Sequence, residues 1–350
     1  MAIDAELAQI VRGQGLVDRV VVTGGLPGCG KTMMTPIISS LGRVEVQKFN
    51  YAVEHLCALR WLNRIEDDAA TALIRLLTDL DLYNLAMSRE VNLRFTDLSS
   101  VFRNPGTMKY LRRLTQAGDA EAVARIGRER PILHLTVHNA LAISRPLFDA
   151  LGEALRIVEV VRHPLYMIKQ WRLYVERYGA DVRDFTLWFD YGGRSVPFFA
   201  YGWEATYLDS PPMDRAIYAI DHLLGKGREV LERADGPQAL QVMVVPFERF
   251  VVNPHPYLRH MAELLGTEQT PATKRELARQ RVPRTRIADG VAHSIYKQYG
   301  WEPSRDSDER AELARRREFA AAEASPEALH VLDRLSEEYE AHYLAGTGSW

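Results

Sequence analysis

Residues Gly25-Leu26-Pro27-Gly28-Cys29-Gly30-Lys31-Thr32 spell G-x-x-x-x-G-K-[ST], the pattern of a phosphate-binding loop. The apolar run Val20-Val21-Val22 precedes it, and Met33-Met34-Thr35-Pro36-Ile37-Ile38 can continue it as a helix. Strand, glycine loop, helix is the context in which the pattern has meaning. Glycines let backbone N–H groups converge on phosphate oxygens, and the helix N-terminus adds partial positive charge. Lys31 brings a mobile full charge, and Thr32 a hydroxyl for a metal or phosphate. The chain is expected to hold a nucleotide phosphate near Gly30.

The rest of the chain alternates in a way that suits such a loop. Strands are expected at 16–23, 43–48, 131–137, 156–161 and 240–245. Helices are expected at 31–41, at two stretches within 51–87, and at 108–117, 120–130, 143–151, 164–178, 216–234 and 256–265. Short apolar runs separated by helices are the signature of parallel β-α-β units. Residues 94–103 are polar and irregular, and 181–211 read as an aromatic, loop-rich insertion. From Lys274 the chain turns basic, and beyond Pro303 helical and charged. The expected architecture is an α/β three-layer sandwich around a central parallel sheet, of the P-loop NTPase-like class. Residues 1–303 form the α/β domain and 304–350 a helical C-terminal extension.

Charge and cysteine content narrow the partners. A net charge of −2 gives no reason to expect nucleic acid or an anionic membrane as the main partner. The two cysteines, Cys29 and Cys57, are too few for a disulfide framework and suit a reducing compartment. Cys29 occupies a tolerant position of the loop, as a bystander or as a reactive thiol. The N-terminus lacks the apolar core of a signal peptide, and no apolar stretch is long enough for a membrane span. A cytoplasmic location is expected, and a homo-oligomer is compatible with the chain.

Three segments in order resemble the sulfotransferase family, which transfers sulfuryl groups from 3′-phosphoadenosine 5′-phosphosulfate (PAPS). The first is Gly25 to Met34, placed like the family's 5′-phosphosulfate loop. The second, Arg156-Ile157-Val158-Glu159-Val160-Val161-Arg162-His163-Pro164, is similar to the family's strand ending in Arg-x-Pro. The third is Val244 to Pro254, with the helix running to Leu265-Gly266. The resemblance implies a PAPS donor without a metal and a small-molecule or carbohydrate acceptor. It places Gly25, Gly28, Cys29, Gly30, Lys31, Thr32 and Met33 on the phosphosulfate, and Arg162 on the 3′-phosphate. Gln170, where the family usually has serine, and the basic Arg284 and Arg286 could assist there. Gly28 stands where the family usually carries Lys or Arg, and Lys31 where it usually carries Ser or Thr.

PAPS carries two separated anionic groups, so its site needs two anion-binding features. Arg162 closes a parallel strand, where ligands of open α/β sheets bind, and its planar fork suits a phosphate. It could instead pair with Glu159 or Asp149. Transfer to an alcohol also needs a base. His138, at the end of the strand 132–137, resembles the family's catalytic histidine, and an imidazole suits that proton transfer. It could equally be a strand-end histidine bonded to backbone; His134, earlier in the strand, reads as core. Glu45 and Asp97 are further base candidates, each alternatively a plain surface or loop residue. Lys31 would offset charge on the leaving phosphate.

Two other readings stay open. Lys31-Thr32 is a good ending for an ATP-dependent kinase loop, but such enzymes need an acidic strand end for Mg²⁺. Gly28 and Gln170 would suit a non-catalytic nucleotide-binding protein of the same fold.

Overall fold

A computed structural model describes residues 9–97, 99–233, 236–287, 290 and 308–345. Strand β1 (Val20–Gly24) lies between β3 (Leu133–Thr136) and β4 (Leu155–Val161), parallel to both. A two-residue β2 (Lys48–Phe49) pairs with β3. After the separate hairpin strands β5 (Trp188–Tyr191) and β6 (Arg194–Pro197), β7 (Val242–Pro246) closes the other edge against β4. The sheet order is β2-β3-β1-β4-β7, all parallel.

Connection direction distributes the helices. The step from β1 to β2 runs opposite to the steps β2 to β3, β3 to β4 and β4 to β7. Right-handed crossovers therefore put α1 (Lys31–Ile38) on one face. On the other go α2 (Tyr51–Trp61), α3 (Asp67–Ala86), α4 (Thr107–Arg113), α5 (Asp119–Glu129) and α6 (Arg145–Leu151). The same holds for α7 (Pro164–Arg177), α8 (Glu204–Asp209) and α9 (Pro212–Arg233). Beyond β7 come α10 (Phe247–Val252), α11 (Pro254–Leu265) and α12 (Pro271–Arg279), with α11 on β4 and β7 and α12 against α1. Covered on both faces, the strands need no polar alternation: Val20, Val21, Val22, Leu133, Ile157 and Val158 have no exposed surface.

The expected α/β class is what is found, and most elements fall near their expected positions. The second strand is shorter than the 43–48 read from sequence. Val44 makes only an isolated bridge to Ile132, and the Tyr110 hydroxyl accepts from the Val46 N–H at 2.6 Å, interrupting the ladder. The first helix stops at Ile38, where Thr270 and Thr273 hydroxyls take the Ser40 carbonyl. The insertion 181–211 holds the β5–β6 hairpin, turned by Gly192-Gly193 with φ of +61° and +81°.

The boundary expected at 303/304 lies outside the described residues. The two helices that follow, α13 (Glu309–Ala321) and α14 (Pro326–Tyr339), pack on α7 and α9. Ala320, Ala328, Leu332 and Leu335 join the same core as the sheet. Among the described residues no helix is long and apolar enough to cross a membrane.

Candidate functional site

The glycine loop leaves β1 at the C-terminal edge of the sheet and enters α1 at Lys31. Gly25, Gly28 and Gly30 have φ of +127°, +88° and +107°, a region that glycine adopts at little cost. At Gly30 a side chain is also excluded by contact, because a Cβ there would collide with the Phe247 ring. The buried Lys31 ammonium donates to the Gly25 carbonyl, folding its charge back over the loop. Thr32 is the second residue of α1, and Met33 behind it enters the core. Cys29 is 1% exposed, and burial pushes its thiol up despite Lys31 nearby, which makes it a packing residue.

Arg162 is brought to this loop from the end of β4. Its Nη1 donates to the Gly28 carbonyl at 3.0 Å, and its guanidinium lies over the rings of Phe247 (4.4 Å) and Tyr166 (4.8 Å). It pairs with neither Glu159 nor Asp149. Its acidic neighbour is Glu248, 3.9 Å from Nε. Glu248 also accepts from the His163 N–H and, at 2.5 Å, from the Tyr339 hydroxyl of α14. The Arg162 Nε is buried without a hydrogen-bond acceptor, an unused donor beside the loop. Gln170, nearly two turns along α7, reaches over Gly28: a Cβ there would stand 3.0 Å from its Oε1. Arg284 approaches from the C-terminal side, with Nη2 3.5 Å from Met33 Sδ and its guanidinium 5.5 Å from the Phe247 ring. Arg162 and Arg284 thus share one aromatic ring next to the loop, while Arg286 is exposed.

His138 follows β3, the strand beside β1. Its neighbour Ala140 sits against the start of the loop, where a Cβ on Gly24 would meet the Ala140 methyl at 2.7 Å. Oε2 of Glu54, from α2, accepts from the His138 N–H at 2.9 Å and lies 3.0 Å from Nδ1. The imidazole is about one-third exposed and stacks near Phe49 and Tyr51. Burial pushes Glu54 up, but the His138 contacts and the Lys31 charge outweigh it and hold the carboxylate below its usual range. Glu54 therefore couples to both His138 and Lys31 at the C-terminal end of the sheet. His134, by contrast, is fully buried between the Thr23 and Ser39 hydroxyls, and burial lowers it to about 3.

The other two base candidates are placed elsewhere. Glu45 is neither a base at the loop nor a surface residue. It is 1% exposed, bonded by Arg113 (2.8 and 3.0 Å), Tyr110 (2.6 Å) and Lys109 (3.1 Å). Its own N–H bonds the Ile132 carbonyl, at the start of β3 and so at the sheet edge away from the loop. Asp97 lies in the 91–103 segment, bonded to Asn92, Thr96 and Arg94. Asn92 is the main cause that lowers it, and its carboxylate caps its own loop. Many of the aromatics at 188–203 pack rather than open a pocket, since Phe198 and Phe199 are buried against Trp61, Trp171 and Tyr178.

Glu54 and Tyr339 are the site residues that the sequence left unmarked. Glu54 had one available signal, an acid four residues after the helix cap Asn50, but nothing local tied it to His138.

No family profile matches the chain, and no curated protein is similar to it. Among solved structures it is similar to a sulfotransferase domain from the Synechococcus PCC 7002 olefin synthase. There the identity is 15% over 95% of this chain and 98% of that one, with a TM-score of 0.41. A sulfotransferase domain from the curacin biosynthetic pathway is 12% identical over 93% and 98%, with a TM-score of 0.44. A sulfotransferase from Alicyclobacillus acidocaldarius is 13% identical over 91% and 95%, with a TM-score of 0.34.

Proposed function

We propose that the chain transfers a sulfuryl group from PAPS to a hydroxyl or amine of a small-molecule or carbohydrate acceptor. The observation that carries this reading is the Glu54–His138 pair beside the glycine loop. With Nδ1–H donated to Glu54, Nε2 of His138 is left as a base for an acceptor proton. The acceptor oxygen attacks sulfur as that proton passes to Nε2. The bond from sulfur to the bridging oxygen breaks, and adenosine 3′,5′-bisphosphate leaves.

The loop backbone and Lys31 suit the phosphosulfate end of the donor, with the ammonium offsetting charge on the leaving phosphate. Arg162, whose Nε lacks an acceptor, suits the 3′-phosphate, with Arg284 and Gln170 beside it. The strand next to β1 leads to His138, where a kinase of this loop type would present a carboxylate to Mg²⁺.

Calorimetry with adenosine 3′,5′-bisphosphate, and separately with ATP plus Mg²⁺, tests the proposal. Binding of the bisphosphate well above that of ATP is expected, weakened by Arg162→Ala. Tight ATP binding with none of the bisphosphate would overturn it. Bisphosphate binding without turnover on any acceptor would point to a non-catalytic binder.

A further inference from the structure

The segment 91–103 turns polar groups inward and apolar ones outward. Asn92 closes it: its carbonyl accepts from the Val101 N–H at 2.9 Å, its Nδ2 donates to Asp97 and Ser99, and its Oδ1 accepts from the Arg94 N–H. Arg103 Nε donates to the Phe95 carbonyl at 2.8 Å. Leu93, Phe95 and Phe102 are left 48%, 71% and 36% exposed, and Met108 in the first turn of α4 is 67% exposed. Phe95 and Phe102 stack on each other, with ring centroids 4.4 Å apart and planes at 18°. A loop that uses its polar contacts on itself and presents a stacked phenylalanine pair to water has the form of a contact surface.

Charge selects the partner. From Val91 to Arg112 the basic residues are Arg94, Arg103, Lys109 and Arg112, against the single acid Asp97. The chain's net charge of −2 conceals this local excess. Lys109 faces the buried Glu45, and Arg94 reaches Asp97 at 3.3 Å, but Arg94 stays 78% exposed and Arg112 is exposed as well. A second copy seated on this face would set like charge against like. Side chains this exposed protrude, which suits a soft layer better than the groove of a folded partner. At an anionic bilayer, phenylalanines enter the boundary between headgroups and acyl chains while guanidinium groups stay at the phosphates.

We propose that the 91–112 surface docks on an anionic phospholipid membrane, with Phe95 and Phe102 at its tip. The surface is joined to the candidate site. Glu90, just before it, pairs with Lys48 of β2, and the next residue, Phe49, stacks on His138. Docking holds the β2 end of the sheet near the lipid, so the transfer reading would extend to acceptors carried in the membrane. The docking itself does not rest on that reading.

Cosedimentation of the full chain, without donor, tests this with vesicles of phosphatidylcholine alone and of equimolar phosphatidylcholine and phosphatidylglycerol. Binding to the mixed vesicles is expected to be about tenfold tighter, and to fall as salt is raised. Phe95→Ser combined with Phe102→Ser should weaken it about tenfold, and Arg94→Glu with Arg112→Glu should remove the preference for anionic lipid. Circular dichroism and thermal melts check that each variant is folded. No binding of the native chain to the mixed vesicles, or equal binding to both compositions, would overturn the proposal. So would unchanged binding by the folded variant that lacks both rings. A native dimer that this variant dissociates, with no vesicle binding, would assign the surface to a second copy instead.

Discussion

One carboxylate oxygen, Oε2 of Glu54, holds His138 twice, at its backbone N–H (2.9 Å) and at ring Nδ1 (3.0 Å). The first contact fixes where β3 ends, and the second fixes which ring nitrogen carries the proton. A base whose tautomer is set before substrate arrives needs no reorganisation during the reaction.

His138→Ala is expected to lower kcat by about 10²–10⁴-fold while leaving affinity for adenosine 3′,5′-bisphosphate unchanged. Glu54→Gln should lower kcat less, because the amide oxygen still accepts from Nδ1, and should shift the acid limb of the pH–rate profile. Steady-state kinetics with calorimetry separate the two effects. Unchanged turnover in His138→Ala would move the base elsewhere.

Two buried glutamates give opposite pH dependences of stability. For Glu45 burial raises the pKa, but Lys109, Arg113 and Tyr110 outweigh it and bring the group from 4.5 to about 2. Its contribution is therefore full above pH 4.5 and lost as pH falls towards 2, about 3 kcal/mol in all. Glu159, raised from 4.5 to about 8, favours the fold fully below pH 4.5 and loses that contribution as pH rises through 8. Urea denaturation from pH 3 to 9 should show Glu45→Gln destabilised at neutral pH and converging with the native chain in acid. Glu159→Gln should gain relative stability as pH rises from 4.5 to 8 and level off above it.

The loop glycines should differ in tolerance. Gly30→Ala places a methyl against the Phe247 ring at a backbone angle of +107°, and is expected to cost both stability and phosphate binding. Gly28→Ala meets only the end of the flexible Gln170 side chain at 3.0 Å, so its cost is the left-handed backbone alone, about 1–2 kcal/mol. Thermal melts of the two variants, with and without bisphosphate, check the order.

Tyr339 ties the C-terminal helix to the arginine at the loop through Glu248. Tyr339→Phe leaves the ring in place but removes a hydrogen bond to a charged group, a loss of about 1.5–3 kcal/mol. Glu248 is then free to draw Arg162 from the Gly28 carbonyl. Bisphosphate affinity should fall, with kcat at saturating donor little changed. A fall in kcat with affinity intact would contradict this coupling.

Contiguous signals carried much of the architecture. The glycine loop, the apolar strands at 20–22 and 157–161 and the helix-forming stretches between them could be read along the chain, because each is a local pattern of backbone freedom or burial. They placed Lys31, Arg162 and His138 at the ends of neighbouring strands. What the chain could not state was who meets whom. Glu54 lies 84 residues before His138, and Arg113 lies 68 residues after Glu45. The strand order β2-β3-β1-β4-β7 and its crossovers decide that the first pair meets beside the loop and that Glu45 is consumed at the far edge. Each glutamate directly follows a valine, Val44 or Val53, and nothing local tells the two apart. Only packing, which sets burial and the nearest opposite charge, makes one a partner of the candidate base and the other part of a structural ion cluster.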